Sequence, residues 1–360
     1  MRVWYGQEQR EVHLFVPLTE RRPRNLTESG TILMNGKPFF PIGVYHVRPT
    51  DFAALAAAGF NSVQGIGPTN LEAFAQHLDL ARQHGLTVDV PLYTNGGVAK
   101  NLADSLAAIA AQAGHPALMD WKIIDEPDLR PDVVDEVAGV YRALKAAGAP
   151  QPIELTLATP NSYPFWAPFC DIMQIDPYPL PSQPIALVAA YTKAAKAVLE
   201  PWQNLTVVLQ SGWTPNLATQ PSYEQARTMV YLALIHGAKG LSWYSLRDPG
   251  WNLMETPLWP HFKQINAESA RLGEVVIHGA PLAGVSVTPA DLHVGAWTQD
   301  GQWKVMLANP TNEARQAVVT LPGGAKAARV VCGSGQATVT GQQLTVPMAA
   351  TSGLLLEVQR

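Results

Sequence analysis

Cysteine and charge are both scarce in this chain of 360 residues. Charged side chains make up 15% of the sequence, and the net charge of −4 comes without a long basic run, so neither a nucleic acid nor an anionic membrane is an expected partner. The two cysteines, Cys170 and Cys332, provide no disulfide framework and no CxxC zinc spacing. No segment approaches the roughly 20 apolar residues of a membrane span. The first residues also lack the apolar core of a signal peptide, so we expect a soluble protein and leave its compartment open.

Apolar and aromatic residues are plentiful, at 47% hydrophobic with 10 Trp, 10 Tyr and 9 Phe, which is enough to bury a large core. Over residues 39–280, short β-rich apolar runs alternate with Ala-rich amphipathic stretches, several of which end at Gly85, Gly148 or Gly237. Such alternation predicts a parallel sheet, and eight units in roughly 250 residues favour a (β/α)8 TIM barrel of the α/β class. An open doubly wound sheet is the alternative, but no GxGxxG follows the first predicted strand.

The periodicity changes after the predicted barrel. Residues 281–360 read as short alternating strands with tight turns, among them Asp300-Gly301 and a turn at Gly341, and predict a small C-terminal antiparallel β-sandwich. Residues 1–38 are interpreted as a hairpin or linker that leads into the barrel and caps its floor, or as the remnant of a longer N-terminal module.

The carboxyl ends of the strands are where a barrel places its active site. At these ends the sequence offers carboxylates, aromatic rings and amides, but no lysine for a Schiff base, no glycine-rich phosphate turn and no pair of histidines for a catalytic metal. We therefore expect no cofactor and no metal. Carboxylates beside aromatic rings suit a carbohydrate, whose C–H faces stack on rings and whose hydroxyls bond polar side chains.

Glu126, at the tip of the run WKIIDEPD, is the predicted general acid. Its neighbour Asp125 carries like charge and the preceding strand is apolar, and both conditions raise the pKa of a carboxyl. A solvated helix-capping loop is the other interpretation of an Asp-Glu-Pro sequence, but the position at the end of the fourth barrel strand favours function.

WKIIDEPD at this position resembles the fourth strand of the retaining, clan-A-like (β/α)8 glycoside hydrolases, whose acid/base glutamate ends that strand. The run ILMNGKPFFPIGVYH is similar to the segment that opens the barrel in those enzymes, and WKVMLANPTNEARQAVVTLP resembles their C-terminal sandwich. The resemblance implies glycosidase activity on an oligo- or polysaccharide, with Glu126 as acid/base.

The seventh predicted strand, LTVVLQSGW, departs from that pattern, because Gln210 stands where those enzymes carry the nucleophilic glutamate. Two alternatives remain open. In one, Asp176 of MQIDPYP is the nucleophile or the base for a water. In the other, Asp125 and Glu126 form the Asp-Glu pair of substrate-assisted hexosaminidases, such as glycoside hydrolase families 20 and 123, in which the substrate's 2-acetamido group attacks.

Two rival functions also stay open: a carbohydrate-binding barrel that has lost hydrolysis, and a non-glycosidic hydrolase or lyase. Arg247 and Asp248 are read either as site residues or as an ion pair with each other, and Trp251 as a residue that reaches in from the eighth loop. The residues predicted to bind substrate are Tyr45, His46, Tyr93, Tyr178, Gln210, Trp213, Trp243, Tyr244 and Arg247.

Overall fold

A curled parallel sheet of seven strands forms the core of the computed structural model, which describes residues 2–5, 8–11, 22–93, 102–212 and 220–360. The strands lie side by side in chain order, and each is joined to the next by a crossover that is helical in most cases. None of the described helices is long and apolar enough to cross a bilayer. The sheet strands are β5 (Ser62–Gln64), β6 (Thr87–Pro91), β7 (Leu118–Asp125), β8 (Ile153–Leu157), β9 (Ile172–Ile175), β10 (Asn204–Gln210) and β11 (Gly240–Tyr244).

Eight helices accompany the sheet in the described residues, and their ends follow the sequence signals. Gly85, Gly148 and Gly237, predicted as helix ends, all have positive φ (72°, 73° and 112°), a conformation that glycine adopts without steric cost. The helices are α1 (Phe52–Ala57), α2 (Leu71–Gln83), α3 (Leu102–Gln112), α4 (Val134–Ala147), α5 (Tyr163–Trp166), α6 (Leu187–Lys196), α7 (Tyr223–Ile235) and α8 (Phe262–His278).

The first predicted barrel strand is divided in the structure. Its beginning belongs to an antiparallel hairpin of β3 (Ile32–Met34) and β4 (Lys37–Phe39), which follows the short N-terminal pair β1 (Arg2–Tyr5) and β2 (Glu8–Glu11). Asn35 and Gly36 form the turn with φ of 51° and 76°, as a two-residue turn with left-handed positions requires. Apolar residues around this hairpin bury Met119 and Ile172, which lie at the amino ends of β7 and β9. The hairpin therefore packs against the end of the sheet opposite the predicted site.

Residues 41–45, which follow the hairpin, bond to both edges of the seven-stranded sheet. Ile42 forms a parallel bridge with Leu241 of β11. The segment is not a regular strand, and Pro41 cannot contribute an N–H to a ladder. Its other backbone bonds run from the N–H of Gly43 to Leu241 O (2.8 Å), from Tyr45 to Trp243 O (3.0 Å), and, from the opposite edge, from Gln64 to Val44 O (3.0 Å).

Two antiparallel sheets follow α8, where the sequence predicts a change from helices to strands. Before α8 the chain forms a short antiparallel pair, β12 (Arg247–Asp248) and β13 (Trp251–Asn252). After α8, the predicted turn at Asp300-Gly301 joins β16 (His293–Gln299) to β17 (Gln302–Asn309), and Gly341 lies in the turn between β20 (Thr338–Thr340) and β21 (Gln343–Met348). One apolar cluster includes residues from both sheets, such as Val305 and Val319. The first sheet, in spatial order, comprises β14 (Ala280–Pro281), β16 (His293–Gln299), β17 (Gln302–Asn309), β22 (Ser352–Gln359) and β19 (Ala327–Cys332). The second comprises β15 (Ser286–Thr288), β18 (Arg315–Thr320), β21 (Gln343–Met348) and β20 (Thr338–Thr340).

The first of these sheets packs on α7 so closely that Gly353→Ala should destabilise the protein. A Cβ on Gly353 would lie 2.3 Å from Cδ2 of buried Tyr231 on α7. We expect the substitution to lower the free energy of unfolding by about 1–3 kcal/mol, measured by urea unfolding. Gly139→Ala is the matched control: this glycine is in the middle of α4 with nothing within 4 Å of its Cβ position, so the change should stabilise by about 0.4–1 kcal/mol. Equal effects of the two substitutions would contradict the packing.

His236, directly after α7, contacts His293 on β16 of the first C-terminal sheet. We expect this pair to make the protein less stable in acid. Nε2 of His236 lies 2.8 Å from Nδ1 of His293. Burial and the charge of Lys193 lower the pKa of His236 to about 3 and that of His293 to about 4. The unfolded histidines take up protons below about pH 6.5. The free energy of unfolding should therefore fall as the pH drops from about 6.5 to about 4.

The measurement is urea unfolding across this pH range for wild type and His293→Gln. The variant should show a shallower fall, because one depressed base has been removed. His278→Gln, at a side chain that is 42% exposed, is the control and should keep the wild-type slope. A wild-type slope in His293→Gln would show that the pair does not carry the effect.

Candidate active site

Glu126 follows β7 in a strained backbone conformation. Its φ is 46°, in the left-handed region, and Pro127 begins a short 3-10 turn directly after it. His46, at the end of the segment 41–45, has a φ of 56°. Left-handed non-glycine residues are uncommon, and they cluster at functional sites where the surrounding fold holds them in place. Two predicted site residues thus occupy strained positions at the carboxyl side of the sheet.

Asp176, one residue after β9, lies against Glu126. Asp176 is buried, with 8% of its surface exposed, and Glu126 is the acidic group that acts on it most strongly. Burial, the hydrogen bond to Glu126 and the negative charge of Glu126 raise the pKa of Asp176 well above its usual range. A raised pKa favours the protonated form of the Asp176 carboxyl.

Asp125 has a different partner. Its Oδ1 lies 3.1 Å from Nζ of Lys122, a fully buried lysine three residues earlier on β7, while the Asp125 side chain is 42% exposed. Burial alone would lower the pKa of Lys122, but Asp125 and the other acidic groups around it raise that pKa well above its usual range. Asp125 therefore neutralises a charge beneath the site and is also open to solvent.

Tyrosine rings border the carboxyl pair. The ring of Tyr178 lies 5.7 Å from that of Tyr244, and the ring of His46 lies 5.2 Å from Tyr244. Tyr93 accepts a 3.2 Å hydrogen bond from Gln64 on β5. Burial raises the pKa values of Tyr93, Tyr178 and Tyr244, so their hydroxyls stay protonated at neutral pH. Protonated phenols can both donate to and accept from the hydroxyl groups of a ligand.

His46 is oriented by Asp248, which follows β11. Nδ1 of His46 lies 2.8 Å from Oδ1 of Asp248, and the hydroxyl groups of Ser245 and Tyr244 also donate to this carboxylate. The imidazole is 42% exposed. The Asp248 carboxylate therefore fixes a ring that remains accessible from solvent.

Three predicted ligand contacts are corrected by the structure. Trp243 is fully buried, with its ring 5.0 Å from that of Phe262 on α8; because side chains alternate along a strand, it faces the helices while Tyr244 faces the mouth. Tyr45 is 3% exposed, and its hydroxyl bonds to Lys122 and Gln174 inside the sheet. Neither side chain is placed to contact a ligand.

Arg247 is the third correction. It does not pair with Asp248; instead it binds Asp51 through two hydrogen bonds of 2.9 and 2.7 Å, which commits its guanidinium to the loop before α1. Trp251, expected to reach into the site, is 7% exposed and covers Gly212 after β10. Trp213 lies outside the described residues, and its role stays a prediction.

Gln210, the residue at the nucleophile position of the resembling enzymes, is bonded to a loop. Its Oε1 accepts from the N–H of Leu180 (2.9 Å), and its Nε2 donates to the carbonyl of Leu180 (3.1 Å). An amide both accepts and donates in this way, whereas an ionised carboxylate only accepts. Its function here is to fix the loop that carries Asp176 and Tyr178, which explains a glutamine at this position better than the predicted sugar contact does.

Restoring a carboxylate with Gln210→Glu should therefore damage the protein rather than improve it. The variant loses the donor to Leu180 and buries a charge opposite its carbonyl, so we expect the free energy of unfolding to fall by about 1–3 kcal/mol, measured by urea unfolding. Gln264→Glu on the exposed face of α8 is the control and should stay within about 0.5 kcal/mol. Unchanged stability in Gln210→Glu would contradict the role of the two Gln210–Leu180 hydrogen bonds in fixing the loop.

Sequence reasoning missed the polar interior of the sheet. The strands carry buried polar side chains at inward positions, where barrels usually place branched apolar ones. Each such residue interrupts a run that reads as almost continuously apolar, and this interruption is the signal that could have found them. The buried residues are Gln64 on β5, Asp89 on β6, Asp120 and Lys122 on β7, Glu154 and Thr156 on β8, Gln174 on β9, Thr206 on β10 and Ser242 on β11.

Comparison with known proteins identifies the fold. A scan against protein-family models finds no match, and a search of the curated proteins finds none either. Among solved structures, an alpha-amylase from Geobacillus thermoleovorans has a TM-score of 0.61 at 9% identity, covering 89% of this chain and 98% of its own. The chain shares its fold with glycoside hydrolases.

Two further structures support this. A maltogenic alpha-amylase from Thermotoga neapolitana has a TM-score of 0.57 at 12% identity and covers 89% of this chain and 99% of its own. A debranching enzyme from Nostoc punctiforme has a TM-score of 0.58 at 11% identity, and the match covers 86% of this chain and 88% of the enzyme. The similarity spans both the curled parallel sheet and the region after it, and at these identities it concerns the fold and not the residues of the site.

Proposed function

We propose that this protein is a glycoside hydrolase that cleaves O-glycosidic bonds with the carboxyl pair Glu126 and Asp176. The observation that carries the proposal is the position of these two side chains, which directly follow β7 and β9 at the carboxyl side of the sheet, where Glu126 acts on the buried Asp176. In barrels of this kind, that is where catalytic groups lie. Glycosidic hydrolysis needs one carboxyl that holds a proton and one carboxylate, and the pair supplies both.

In the proposed reaction, Glu126 gives a proton to the leaving oxygen as the bond from that oxygen to the anomeric carbon breaks. A carboxylate oxygen of Asp176 forms a bond to the same carbon. Water then adds to the anomeric carbon, loses a proton to Glu126 and releases Asp176. The resting pair holds its proton on Asp176, and an entering sugar must move the carboxyls from direct contact to the spacing of about 5–5.5 Å that this double displacement uses, with transfer of the proton to Glu126.

Asp125 is the alternative partner, in the substrate-assisted scheme. Two contacts favour Asp176: it lies against Glu126, and Asp125 is held at 3.1 Å by Lys122. The ion pair with Lys122 occupies one carboxylate oxygen of Asp125, and the side chain is 42% exposed, whereas Asp176 is buried beside Glu126. We therefore assign Asp125 to charge balance and Asp176 to the reaction.

The architecture of the proposal is a catalytic barrel over residues 39–280, in which residues 41–45 close the seven-stranded sheet as an eighth element, with a C-terminal β-sandwich over 281–360. The backbone bonds of residues 41–45 to β5 and β11 support closure. The apolar cluster shared by the two C-terminal sheets supports the sandwich. Residues 1–38 keep their proposed role as the segment that covers the floor.

The proposed substrate is an oligo- or polysaccharide. Tyr93, Tyr178, Tyr244 and His46 offer rings and hydrogen-bonding groups around the carboxyl pair, the combination that binds sugars. Two structures similar in fold hold such ligands: the Geobacillus amylase is complexed with acarbose, and AmyP, with a TM-score of 0.56, is in complex with maltotriose.

The test is a panel of chromogenic glycosides, including 2-acetamido sugars, and polysaccharides, with wild type and Glu126→Gln. We expect turnover by wild type and its loss in the variant. If only 2-acetamido glycosides are turned over and the turnover depends on Asp125, the mechanism is substrate-assisted and Asp176 is not the nucleophile. Binding without turnover on any member would identify a carbohydrate-binding barrel and contradict hydrolysis.

A further inference from the structure

Three buried carboxylates form a cluster inside the sheet, below the proposed site. Asp89 on β6, Asp120 on β7 and Glu154 on β8 are 5%, 0% and 1% exposed. One oxygen from each of the three side chains lies within 4.8 Å of the others. They come from three adjacent strands, and the catalytic proposal does not use them.

Charge is not balanced within this cluster. Lys122 is the cation beside it, with Nζ 3.8 Å from Glu154, and it also bonds Asp125 and Gln174. Lys122 is shared with the partly solvated Asp125, so three ionised carboxylates leave at least two negative charges in a region without solvent, which is strongly unfavourable. Either two protons or one divalent cation must neutralise them.

The carboxylate oxygens of Asp120 favour the divalent cation over the protons. Asp120 is fully buried, and neither of its carboxylate oxygens receives a hydrogen bond from an N–H or O–H donor. Oδ1 of Asp89 and Oε1 of Glu154 also receive none. Buried carboxylates normally find donors or a metal, because an unpaired one is costly. Asp89 and Asp120 are neighbours, and a proton shared between them would satisfy at most two of these four oxygens, one on each carboxyl, which leaves the other two without a partner.

A small cavity adjoins the carboxylates. It has a volume of about 20 Å³ and is lined by Asp89 and Glu154 together with neutral oxygen-bearing groups such as Ser62, Gln64 and Ser242. A volume of at least about 10–15 Å³ is enough for one water-sized occupant. Met119 and apolar residues complete the lining, and Asp120 lies beside the cavity and not in its wall. The three carboxylates of the cluster offer only oxygen, which favours a hard cation.

We propose that Asp89, Asp120 and Glu154 bind a calcium ion inside the sheet. Three oxygens at most 4.8 Å apart lie within about 2.8 Å of a common centre, so a small inward movement suffices for the usual Ca²⁺ distances of about 2.3–2.6 Å, whereas Mg²⁺ at about 2.0–2.1 Å requires a larger one. One divalent ion cancels the two excess negative charges. Because the ion lies beneath the site and joins three strands, its role is structural, and the proposal does not depend on hydrolysis.

The test combines metal analysis with melting curves. Wild type, Asp120→Asn and Asp79→Asn are incubated with calcium chloride and dialysed, metals are counted by mass spectrometry, and melting is followed in calcium and in EDTA. Asp79, on α2, is 62% exposed and provides the matched control. We expect about one calcium per chain in wild type and control, and a melting temperature at least about 3 °C higher in calcium than in EDTA. Asp120→Asn should hold less than about a tenth as much calcium and should melt identically in both.

Wild type with no bound calcium and equal melting in calcium and EDTA would overturn the proposal and leave protons or water as the neutralising species. Equal calcium in wild type and Asp120→Asn would place the ion elsewhere and also overturn it. If Asp120→Asn does not fold, Glu154→Gln takes its place, and the wild-type metal content and melting curves decide the matter by themselves.

Discussion

Replacing Glu126 by glutamine should lower kcat about 100- to 10,000-fold on any glycoside with a poor leaving group, with little change in binding. This range is what a positioned general acid contributes, and glutamine keeps the shape of the side chain while removing its proton. The loss should be much smaller for a dinitrophenyl glycoside, whose leaving group needs no protonation. Steady-state kinetics on the two substrate types measures the difference. Glu136→Gln, on the exposed face of α4, is the control and should behave as wild type.

Azide separates the roles of the two carboxyls. With Glu126→Ala, azide should attack the sugar attached to Asp176 and give a glycosyl azide with the anomeric configuration of the substrate. With Asp176→Ala, azide should take the place of the nucleophile and give the opposite configuration. NMR of the product distinguishes the two. Reversed configurations would exchange the roles of Glu126 and Asp176, and wild-type kcat in Glu126→Gln would remove Glu126 from the mechanism.

Lys122→Met should cause the largest loss of stability among the substitutions considered. Its ammonium is fully buried between Asp125 at 3.1 Å and Glu154 at 3.8 Å, and it donates to Tyr45 and to Gln174. Removing one partner of a buried ion pair leaves the other charge without compensation, so we expect the free energy of unfolding to fall by about 3–5 kcal/mol. Urea unfolding measures the change.

Two further variants test the reason for that loss. Adding Glu154→Gln to Lys122→Met should recover part of the stability, because it removes the charge that the first substitution leaves unpaired. Lys263→Met, at an exposed position of α8, should change stability by less than about 0.5 kcal/mol. If Lys122→Met lowers the free energy of unfolding by less than about 1 kcal/mol, the buried ion pairs of Lys122 do not stabilise the protein as proposed.

The sequence was informative where a simple geometric rule applied. Seven strands and the change after residue 280 follow from hydrophobic periodicity. Glu126 and Asp176 were selected as candidates by looking only at strand ends, and their catalytic roles remain a prediction. Their mutual contact was not predictable, because it depends on the curl of the sheet and on the loop that Gln210 fixes through Leu180.

The errors have equally local causes. Trp243 and Tyr244 were both assigned to the site although neighbouring residues of a strand face opposite sides. Arg247 was paired with its sequence neighbour, whereas its partner Asp51 is distant in the chain. The inward polar residues were overlooked because one or two polar residues hardly change the apolar pattern of a single strand. They form a cluster only in the folded sheet, where the strands lie side by side.

The pH dependence of kcat/KM tests the central claim most directly. If Glu126 and Asp176 share one proton, wild type should give a bell-shaped profile whose two limbs belong to the pair. Asp176→Asn should lose one limb and retain a single ionisation at a much lower plateau. A flat wild-type profile, or a profile that Asp176→Asn leaves unchanged, would contradict the account.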